Sequence, residues 1–243
     1  MSEGSLINRN LTLAAALILS LGIVIGGYLL GDGLRRARMA DRSVTVRGLA
    51  ERNVNADLAT WNISFAAQGT ELGPVQAEID RDARAIAAFF GAAGFPADSV
   101  TDAGGSVNQY FDSNRGVNNV TINRRVQLRT TDVMRARRTY ARQFELIRNG
   151  VAIQEGSGMQ YVFTRLNTIK PEMIAEATRD ARNGAERFAS DSGTEVGGIR
   201  SATQGYFSIG ARDGDVDGEG GSSAGASPFQ KVRVVTTIEF YLD

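Results

Sequence analysis

The chain is predicted to be an α+β protein with an N-terminal transmembrane helix, followed by a duplicated helix–strand–strand unit whose helices pack on antiparallel sheet. Three observations predict this fold class. Leu11–Leu30 contains no charged residue, several later segments alternate apolar and polar residues as half-buried strands do, and others repeat apolar residues at helical spacing. Long helices that alternate with strand pairs indicate helices packed on one face of a sheet.

The segment Leu11–Leu30 has the length that an α-helix needs to cross the ~30 Å hydrocarbon core of a bilayer. A short tail, residues 1–10, precedes it and a polar linker, residues 31–42, follows it. A cleaved signal peptide is the alternative, but its apolar region is only ~7–15 residues long and ends at a small-x-small site. Gly31-Asp32-Gly33 is a poor substitute for such a site, so we predict a permanent anchor.

Beyond the linker, alternation and turn residues predict strands and apolar stripes predict helices. The predicted strands are 43–48, 57–68, 99–111, 117–130, a segment around Met159, Tyr161 and Phe163, 198–209 and 229–242. Helices are expected to open at Pro74, after the N-cap Asp132, and at Pro171. Their predicted buried stripes are Val75, Ile79, Ala83, Ile86 and Phe90; Val133, Ala136, Tyr140, Phe144 and Ile147; and Ile174, Ala177, Ala181, Ala185 and Phe188.

The pattern contains an internal copy. The sequence Arg81-Asp82-Ala83-Arg84 recurs as Arg179-Asp180-Ala181-Arg182, 98 positions later, within the corresponding helix. Three further markers keep nearly the same offset: Pro74 with Pro171, Gly94 with Gly193, and Tyr110-Phe111 with Tyr206-Phe207. These markers predict a repeat at about 74–130 and 171–242 within one domain, residues 43–243.

Composition restricts the possible chemistry. The chain has no histidine and no cysteine, which excludes Ser-His-Asp triads, thiol nucleophiles and Cys/His zinc sites within it. Its two lysines, Lys170 and Lys231, have no Ser-x-x-Lys spacing. The 27 basic and 27 acidic residues cancel, so no overall field attracts nucleic acid. We therefore expect no catalytic residues, no cofactor and no metal site, and no enzymatic activity.

Two clusters nevertheless deserve a functional interpretation. The sequence Asp213-Gly214-Asp215-Val216-Asp217-Gly218 has the spacing of a calcium loop, but position twelve is Ala224 rather than glutamate. A mobile acidic hairpin tip is the preferred interpretation of Asp213–Asp217. Arg135, Arg138 and Arg142 form a basic stripe that could meet phosphates, yet a solvated helix face with salt bridges to Glu145 explains it better. Trp61, inside an alternating strand, is expected in the core.

The soluble part resembles the SIMPL-domain family of bacterial envelope proteins over about residues 43–243. The resemblance rests on Val44-Thr45-Val46-Arg47-Gly48-Leu49-Ala50-Glu51, on Ala56-Asp57-Leu58-Ala59-Thr60, on the helix Ala177–Arg182 and on the alternating last strand. In this family a glycine usually precedes the glutamate and a proline usually stands where this chain has Ala56. The resemblance implies an α+β fold, export from the cytoplasm, no established enzymatic activity, a tendency to assemble into higher homo-oligomers and a loose link to envelope or oxidative stress.

The resemblance and the charge distribution disagree on orientation. Arg35, Arg36, Arg38 and Arg42 follow the apolar segment, while only Arg9 and the amino terminus precede it. The positive-inside rule would leave the large domain in the cytoplasm, whereas the resemblance implies the periplasm, which we favour. We expect a single-pass protein of the bacterial inner membrane, a homo-oligomer acting as an envelope scaffold or binding module without nucleic acid. The alternative is a periplasmic enzyme that uses carboxylates or a metal.

Overall fold

A computed structural model describes residues 19–33, 42–213 and 225–243 of the chain. It divides them between two compact units. The terminal unit takes its residues from Met1–Leu49, Glu176–Gly205 and Val235–Asp243, and the central unit consists of Ala50–Ala175 and Tyr206–Val234. The predicted α+β class is confirmed, since helices accompany two four-stranded antiparallel sheets.

Eight strands and five helices are described. The strands are β1 (Ser43–Asn55), β2 (Leu58–Gly69), β3 (Val100–Asp112), β4 (Val117–Thr130), β5 (Gly158–Val162), β6 (Val196–Gln204), β7 (Ser208–Ala211) and β8 (Phe229–Leu242). The helices are α1 (residues 19–33), α2 (Leu72–Ala92), α3 (Val133–Tyr140), α4 (Phe144–Arg148) and α5 (Leu166–Ser192). A 3-10 turn, Ala97–Ser99, leads into β3.

The central unit contains the sheet β3-β4-β2-β5, in which every neighbouring pair is antiparallel. The register of β2 against β4 is unbroken from the pair Ala59–Thr130 to the pair Gly69–Val120. Residues of β2 alternate between buried and half-buried, as the period of two predicts. Helix α2 packs on β2 and β4, so one face of this sheet is covered.

Aromatic side chains fill the core of the central unit. Trp61 is 1% exposed, as expected, and packs edge-to-face against Phe90 and Tyr140, with ring centroids 5.3 and 5.1 Å away. Such edge-to-face pairs add about 0.5–1.5 kcal/mol to the burial of the rings. The other large buried side chains are Ile63, Phe65, Ile79, Ile86, Leu128 and Leu146.

The terminal unit is built around a row of alanines. Ala177, Ala181 and Ala185 on α5 are fully buried, and the last two pack against Ile238 and Phe240 of β8. Because alanine adds little bulk, the backbone of α5 lies close to β1: a Cβ placed on Gly48 would lie 1.9 Å from the carbonyl oxygen of Ala177. The second sheet has the order β1-β8-β6, with β7 also pairing with β8.

The two units share one chain path. In the central unit the order strand, helix, strand, strand is β2, α2, β3, β4, and the last strand lies between the other two. In the terminal unit the same order is β1, α5, β6, β8, again with the last strand in the middle. The terminal copy is therefore discontinuous in sequence, because its first strand precedes the central copy and its helix follows it.

Two of the predicted helices differ from expectation. The segment 133–148 is not one helix: backbone N–H groups of Arg142 and Gln143 donate to Thr139 and Tyr140, three residues earlier, and the tighter winding ends α3. The predicted inward stripe is consequently wrong at Phe144 and Ile147, which are 65% and 49% exposed, while Leu146 is buried. The predicted N-cap is confirmed, since Asp132 accepts the backbone N–H of Arg135.

Helix α5 begins before the predicted proline. It starts at Leu166, so Pro171 lies inside the helix, where it removes one intrahelical donor. The buried stripe also differs, because Phe188 is 64% exposed and Ala189 is buried instead. The row at intervals of four residues continues from Ala185 to Ala189, since the small side chains keep that row against the sheet.

The predicted membrane segment is described only in part. Residues 11–18 lie outside the described residues, and residues 19–33 form α1. Within the described ranges we find no helix with enough length and apolar character to span a bilayer. The side chains of α1 are largely exposed, including Leu19 (68%) and Tyr28 (74%).

Candidate functional site

A solvent-exposed polar region of the central unit surrounds a break in β3. The register of β3 against β4 shifts between Asp102 and Gly105, which is the signature of a β-bulge. Gly104 has a φ of +92°, a conformation that L side chains rarely adopt, and its N–H donates to Oδ1 of Asp102 over 3.0 Å. A Cβ on Gly105 would lie 2.4 Å from the carbonyl oxygen of Asn123. The two glycines are therefore required by the local backbone.

Arg124 connects this bulge to α2. Its guanidinium donates to Oδ2 of Asp102 through Nε and Nη2, at 2.8 and 2.6 Å, and its Nη1 lies 3.3 Å from Oδ1 of Asp80. The hydrogen bonds from Arg124 lower the pKa of Asp102 below its ordinary value. The three charged groups hold one another in place. This arrangement is typical of a rigid surface rather than of a group that transfers protons at neutral pH.

Two clefts flank the bulge. One, of about 530 Å³, is lined by Ser64, Gly104, Gly105, Ser106, Asn123, Arg125 and Gln154 among others. The other, of about 520 Å³, faces α2 and includes Gln76, Asp80, Val107 and Ile122. Hydroxyl, amide and main-chain groups dominate the first cleft, and Arg125 Nε donates to the Ser64 hydroxyl over 3.3 Å. These groups can hydrogen-bond a polar ligand or a polypeptide backbone.

The strand β3 itself is the outer strand of its sheet. It pairs with β4 on one side and with no other strand among the described residues. From Thr101 to Phe111 every residue is exposed. Val107, Tyr110 and Phe111 stand out as large apolar side chains that are about 60% exposed (60%, 58% and 60%). An outer strand presents a row of unpaired backbone N–H and C=O groups, so this surface can accept another strand.

The acidic segment Asp213–Asp217 lies largely outside the described residues. Asp213 follows Arg212 at the end of β7, whereas Gly214–Gly218 and Ala224 lie outside the described residues. Among the residues that are described, no group of three or more carboxylates is arranged to hold a metal ion. The acidic hairpin tip therefore stays a prediction, with a calcium site as its alternative.

The arginine stripe is partly engaged in local contacts. Arg135 donates to the carbonyl oxygen of Gly94 over 2.7 Å and lies 3.1 Å from Oδ2 of Asp132. Arg142 makes two 2.9 Å hydrogen bonds to Glu145, as the salt-bridge interpretation expects, and these lower the pKa of Glu145. Two arginines of the stripe thus stabilise turns of the central unit.

The two lysines have structural neighbours. Lys231 Nζ lies 3.7 Å from Oε2 of Glu51, and Arg233 Nε lies 3.8 Å from Oε1 of the same carboxylate. Lys170 Nζ lies 5.6 Å from the centre of the Phe207 ring, within the range of a cation–π contact.

The residues that carry the family resemblance hold the fold together. Gly48 allows α5 to approach β1, and Oδ2 of Asp180 accepts the Leu49 backbone N–H over 2.9 Å. Asp57 accepts the Thr164 backbone N–H and the Arg165 side chain, both over 2.9 Å, at the entry to α5. Partial burial opposes ionisation of Asp57, but these hydrogen bonds keep its pKa below the ordinary value.

The duplicated aspartates have different environments. Asp180 is used as an acceptor, but its counterpart Asp82 is 2% exposed, and its closest ionic neighbour is Arg81 at 3.8 Å. Burial raises the pKa of Asp82. Asp82 lines neither of the two clefts.

The sequence predicted β3 as a strand but did not predict that the strand is exposed at the edge of its sheet. The available signal was the absence of apolar alternation from Thr101 to Ser106, because a strand with one buried face would show it. A second signal was the uncharged segment Ser106–Phe111, which contains three large apolar residues without a helical or strand stripe to bury them.

Comparison with known protein families gives a match over most of the chain. The sequence model of the SIMPL family, described as a protein of unknown function (DUF541), matches residues 44–240. No curated protein matches the chain. The matched range covers all eight strands almost completely and includes the motif residues Gly48, Glu51, Asp57 and Asp180. The chain therefore belongs to the SIMPL family.

Proposed function

We propose that this protein is anchored in the bacterial inner membrane by its N-terminal segment and acts in the periplasm as an oligomeric scaffold or binding module. The observation that carries the proposal is the outer strand β3, which pairs with β4 alone among the described residues and exposes three large apolar side chains. Surfaces of this kind bind other polypeptides by strand addition. A role in the envelope stress response belongs to the same proposal.

The charge arrangement around β3 supports binding rather than catalysis. Arg124 is held between Asp102 and Asp80, and the lowered pKa of Asp102 keeps that carboxylate ionised near neutral pH. A general acid or base works best when its pKa lies near the working pH. The groups beside the clefts instead offer hydrogen bonds in fixed positions, which is the requirement for recognition.

The composition of the N-terminal segment supports the anchor. Twenty residues without charge, Leu11–Leu30, are long enough to cross the apolar part of a bilayer. In α1, which covers the second half of this segment, apolar side chains are exposed all around the helix, among them Leu21, Ile23, Val24, Ile25, Leu29 and Leu30. A helix that is apolar all round requires a nonaqueous environment or a partner.

The oligomer is tested on the full chain, purified from membranes in a mild detergent. Size-exclusion chromatography with light scattering, corrected for bound detergent, should give a protein mass that is a multiple of 26.0 kDa. A strictly monomeric protein across the accessible concentration range would contradict the proposal. Crosslinking in intact cells, followed by identification of neighbours, then tests whether envelope proteins bind it.

Orientation is tested separately with a reporter enzyme that is active only in the periplasm, fused after Asp243. Activity of the fusion supports the periplasmic location, and an inactive fusion at a normal expression level reverses it. The four arginines between residues 35 and 42 make this test necessary, because the positive-inside rule predicts the opposite result.

A further inference from the structure

The strands at the edges of the two sheets differ in how they are protected against pairing with other chains. Four strands besides β3 lie at an edge: β5 in the central sheet, and β1, β6 and β7 in the second sheet. Natural proteins protect such strands by making them short, by interrupting them with bulges, by covering them or by placing charges on them.

Each of these four strands has such protection. Strands β5 and β7 are five and four residues long. In β1 the Leu49 N–H is taken by the Asp180 carboxylate of α5, which lies directly over Gly48. The register of β6 shifts twice, on either side of Ile199, and the strand carries Arg200. Each of these edges is therefore short, irregular or partly occupied by a contact with α5.

Among the described residues, nothing protects the second half of β3 in any of these ways. After the bulge its register against β4 is regular from the pair Gly105–Arg124 to the pair Asp112–Val117. The segment Ser106–Phe111 contains no charge and no proline, and all six residues are exposed. A regular, uncharged and exposed strand is the arrangement that favours pairing with another strand.

We propose that β3 joins two copies of this chain edge to edge, antiparallel and around a two-fold axis that passes beside Gln109. An antiparallel strand pair between identical chains obeys such an axis, so each copy gives the other the same surface and the assembly closes as a dimer. The two central sheets then form one continuous eight-stranded sheet. This inference rests on the proposed function, because it names the interface of the oligomer.

The side chains of β3 specify the register. With Gln109 opposite its own copy, Val107 lies opposite Phe111 of the other chain on one face of the sheet, and this occurs twice. Asn108 lies opposite the second chain's Tyr110 on the other face. Pairs of an aromatic with a β-branched residue are among the favourable cross-strand pairs, each contributing roughly 0.2–1 kcal/mol. Asp112 faces Ser106, so no like charges are opposed.

A second copy fits this edge better than an unrelated segment does. The strand is uncharged between Ser106 and Phe111, so two copies do not repel each other, and the apolar residues Val107 and Phe111 lie the same distance on either side of Gln109. Self-pairing about Gln109 therefore places each Val107 against a Phe111, so each copy supplies an apolar partner for the other.

The absence of cysteine from the chain makes a sharp test possible. Gln109→Cys is introduced into the full chain, which is then oxidised in native membranes with copper phenanthroline. Directly opposite residues of antiparallel strands have Cα atoms about 4.5–5.5 Å apart, within the range of a disulfide. We expect a disulfide-linked dimer in most of the protein. Val107→Cys alone should give no dimer, because the two copies of residue 107 would lie roughly 13 Å apart.

Matched controls distinguish crosslinks that result from pairing of two β3 strands from crosslinks that result from random collisions of chains in the membrane. Asn118→Cys lies opposite Phe111 on the neighbouring strand β4 and is similarly exposed, yet both β3 strands would lie between its two copies. It should remain monomeric under the same oxidation. A mixture of Val107→Cys and Phe111→Cys chains should crosslink, although neither variant does so alone. Equal crosslinking of residues 107, 109 and 118 would overturn the proposal.

The other outcomes also discriminate. A Gln109→Cys adduct whose mass is not that of two chains would show that a different protein occupies β3, which overturns the inference. Absence of the adduct in a preparation that light scattering shows to be oligomeric overturns the β3 interface and leaves the proposed function intact. A monomer by both methods overturns the two together.

A variant without cysteine gives an independent measurement. Val107→Lys puts a charge in the centre of the proposed interface and should weaken dimerisation at least tenfold by sedimentation in detergent. Val107→Thr keeps a β-branched side chain without charge and should change the dissociation constant by less than threefold. Circular dichroism confirms the fold of both, since Val107 is 60% exposed. Equal effects of the two substitutions would contradict the interface.

Discussion

Gly48 lies where a helix and a strand of the terminal unit come closest, so Gly48→Ala should be among the most disruptive single-methyl changes in this chain. A Cβ at this position would lie 1.9 Å from the carbonyl oxygen of Ala177, 2.6 Å from the amide nitrogen of Ala181 and 2.8 Å from the Ala181 Cβ. Two of these three atoms belong to backbone that side-chain rotation cannot move. Relief requires α5 to move away from β1.

The magnitude follows from the distance that α5 must move. A carbon atom and a carbonyl oxygen approach to about 3.3 Å at closest, so the helix must move by roughly 1.4 Å. A gap of 0.5–1 Å already removes about a quarter to a half of the dispersion energy of a contact. The row Ala181–Ala185 would lose much of its packing on Ile238 and Phe240. We expect the loss in unfolding free energy to be about 3 kcal/mol or more, at the upper end for overpacked sites.

Hydrogen exchange with mass spectrometry measures this effect locally. If opening of β1 and the second half of α5 becomes easier by about 3 kcal/mol, their amides should exchange roughly 100-fold faster. Two glycine variants serve as controls. At Gly198, on β6, an added Cβ meets nothing within 4 Å, and at Gly184 it meets only the Val46 Cγ1, at 2.9 Å. Gly198→Ala should therefore change exchange little.

Gly184→Ala should fall between the other two variants. The Val46 side chain must shift, but alanine is favoured over glycine inside a helix by about 1 kcal/mol, which offsets part of that cost. If Gly48→Ala exchanged no faster than Gly198→Ala, the close approach of α5 to β1 would not be a feature of the protein, and this reasoning would be refuted.

Three further predictions concern carboxylates. Asp180→Ala should lower the unfolding free energy by about 1–2 kcal/mol in urea titrations, because the Leu49 N–H loses its acceptor. Asp180→Asn keeps an acceptor oxygen, so it should lower the unfolding free energy less. Equal losses of unfolding free energy would contradict this explanation. Asp82→Asn should raise the melting temperature by a few degrees at pH 7, because the raised pKa of Asp82 makes its ionised form unfavourable in the folded protein. The gain should fade below pH 4, where the carboxyl group of Asp82 is protonated in both states. A gain that persists at pH 3 would contradict this explanation. Asp102→Asn should lower the unfolding free energy by only about 0.5 kcal/mol at pH 7, because the ion pair with Arg124 is partly exposed. The difference from the unchanged protein should disappear as the pH falls through the lowered pKa of Asp102. A difference independent of pH would exclude the ion pair as its cause.

Much of the local structure could be predicted because the buried faces follow a simple period. The alternation in β8 and the turn residues before β4 predicted both strands with their observed ends, Phe229–Leu242 and Val117–Thr130. Asp132 was recognisable as an N-cap because it stands directly before the first apolar residue of the helix, and its side chain accepts a hydrogen bond from the backbone N–H of Arg135. In each case the signal and the structure that it predicts lie within a few residues.

The errors arose where the local structure depends on hydrogen bonds that no sequence pattern marks. Nothing near Arg142 resembles a helix stop, since the segment has no glycine or proline, yet tighter turns there place Leu146 inward and expose Phe144. Pro171 looked like the start of α5, but the entry to that helix is held by Asp57, more than 100 residues earlier in the chain. A local pattern cannot contain that information.

The candidate site was invisible for a related reason. Periodicity reports which side chains are buried, whereas the β3 surface is defined by exposure and by a missing neighbour strand. Which strands pair was also not predictable, because β1 joins the unit formed by α5, β6 and β8 across more than 100 residues. The repeat was visible as a helix with two following strands, but the first strand of each copy was not assigned to it.

The placement of β8 between β1 and β6 has a consequence for the order of events during synthesis. Strand β1 leaves the ribosome long before β8, and the two cannot form their hydrogen bonds until the whole intervening chain has been made. Throughout that time Val44 and Val46 lack the Ile238 and Phe240 side chains that cover them in the finished protein. The terminal unit therefore completes its folding only after translation of β8, and until then the apolar residues of its earliest strand lack their native cover.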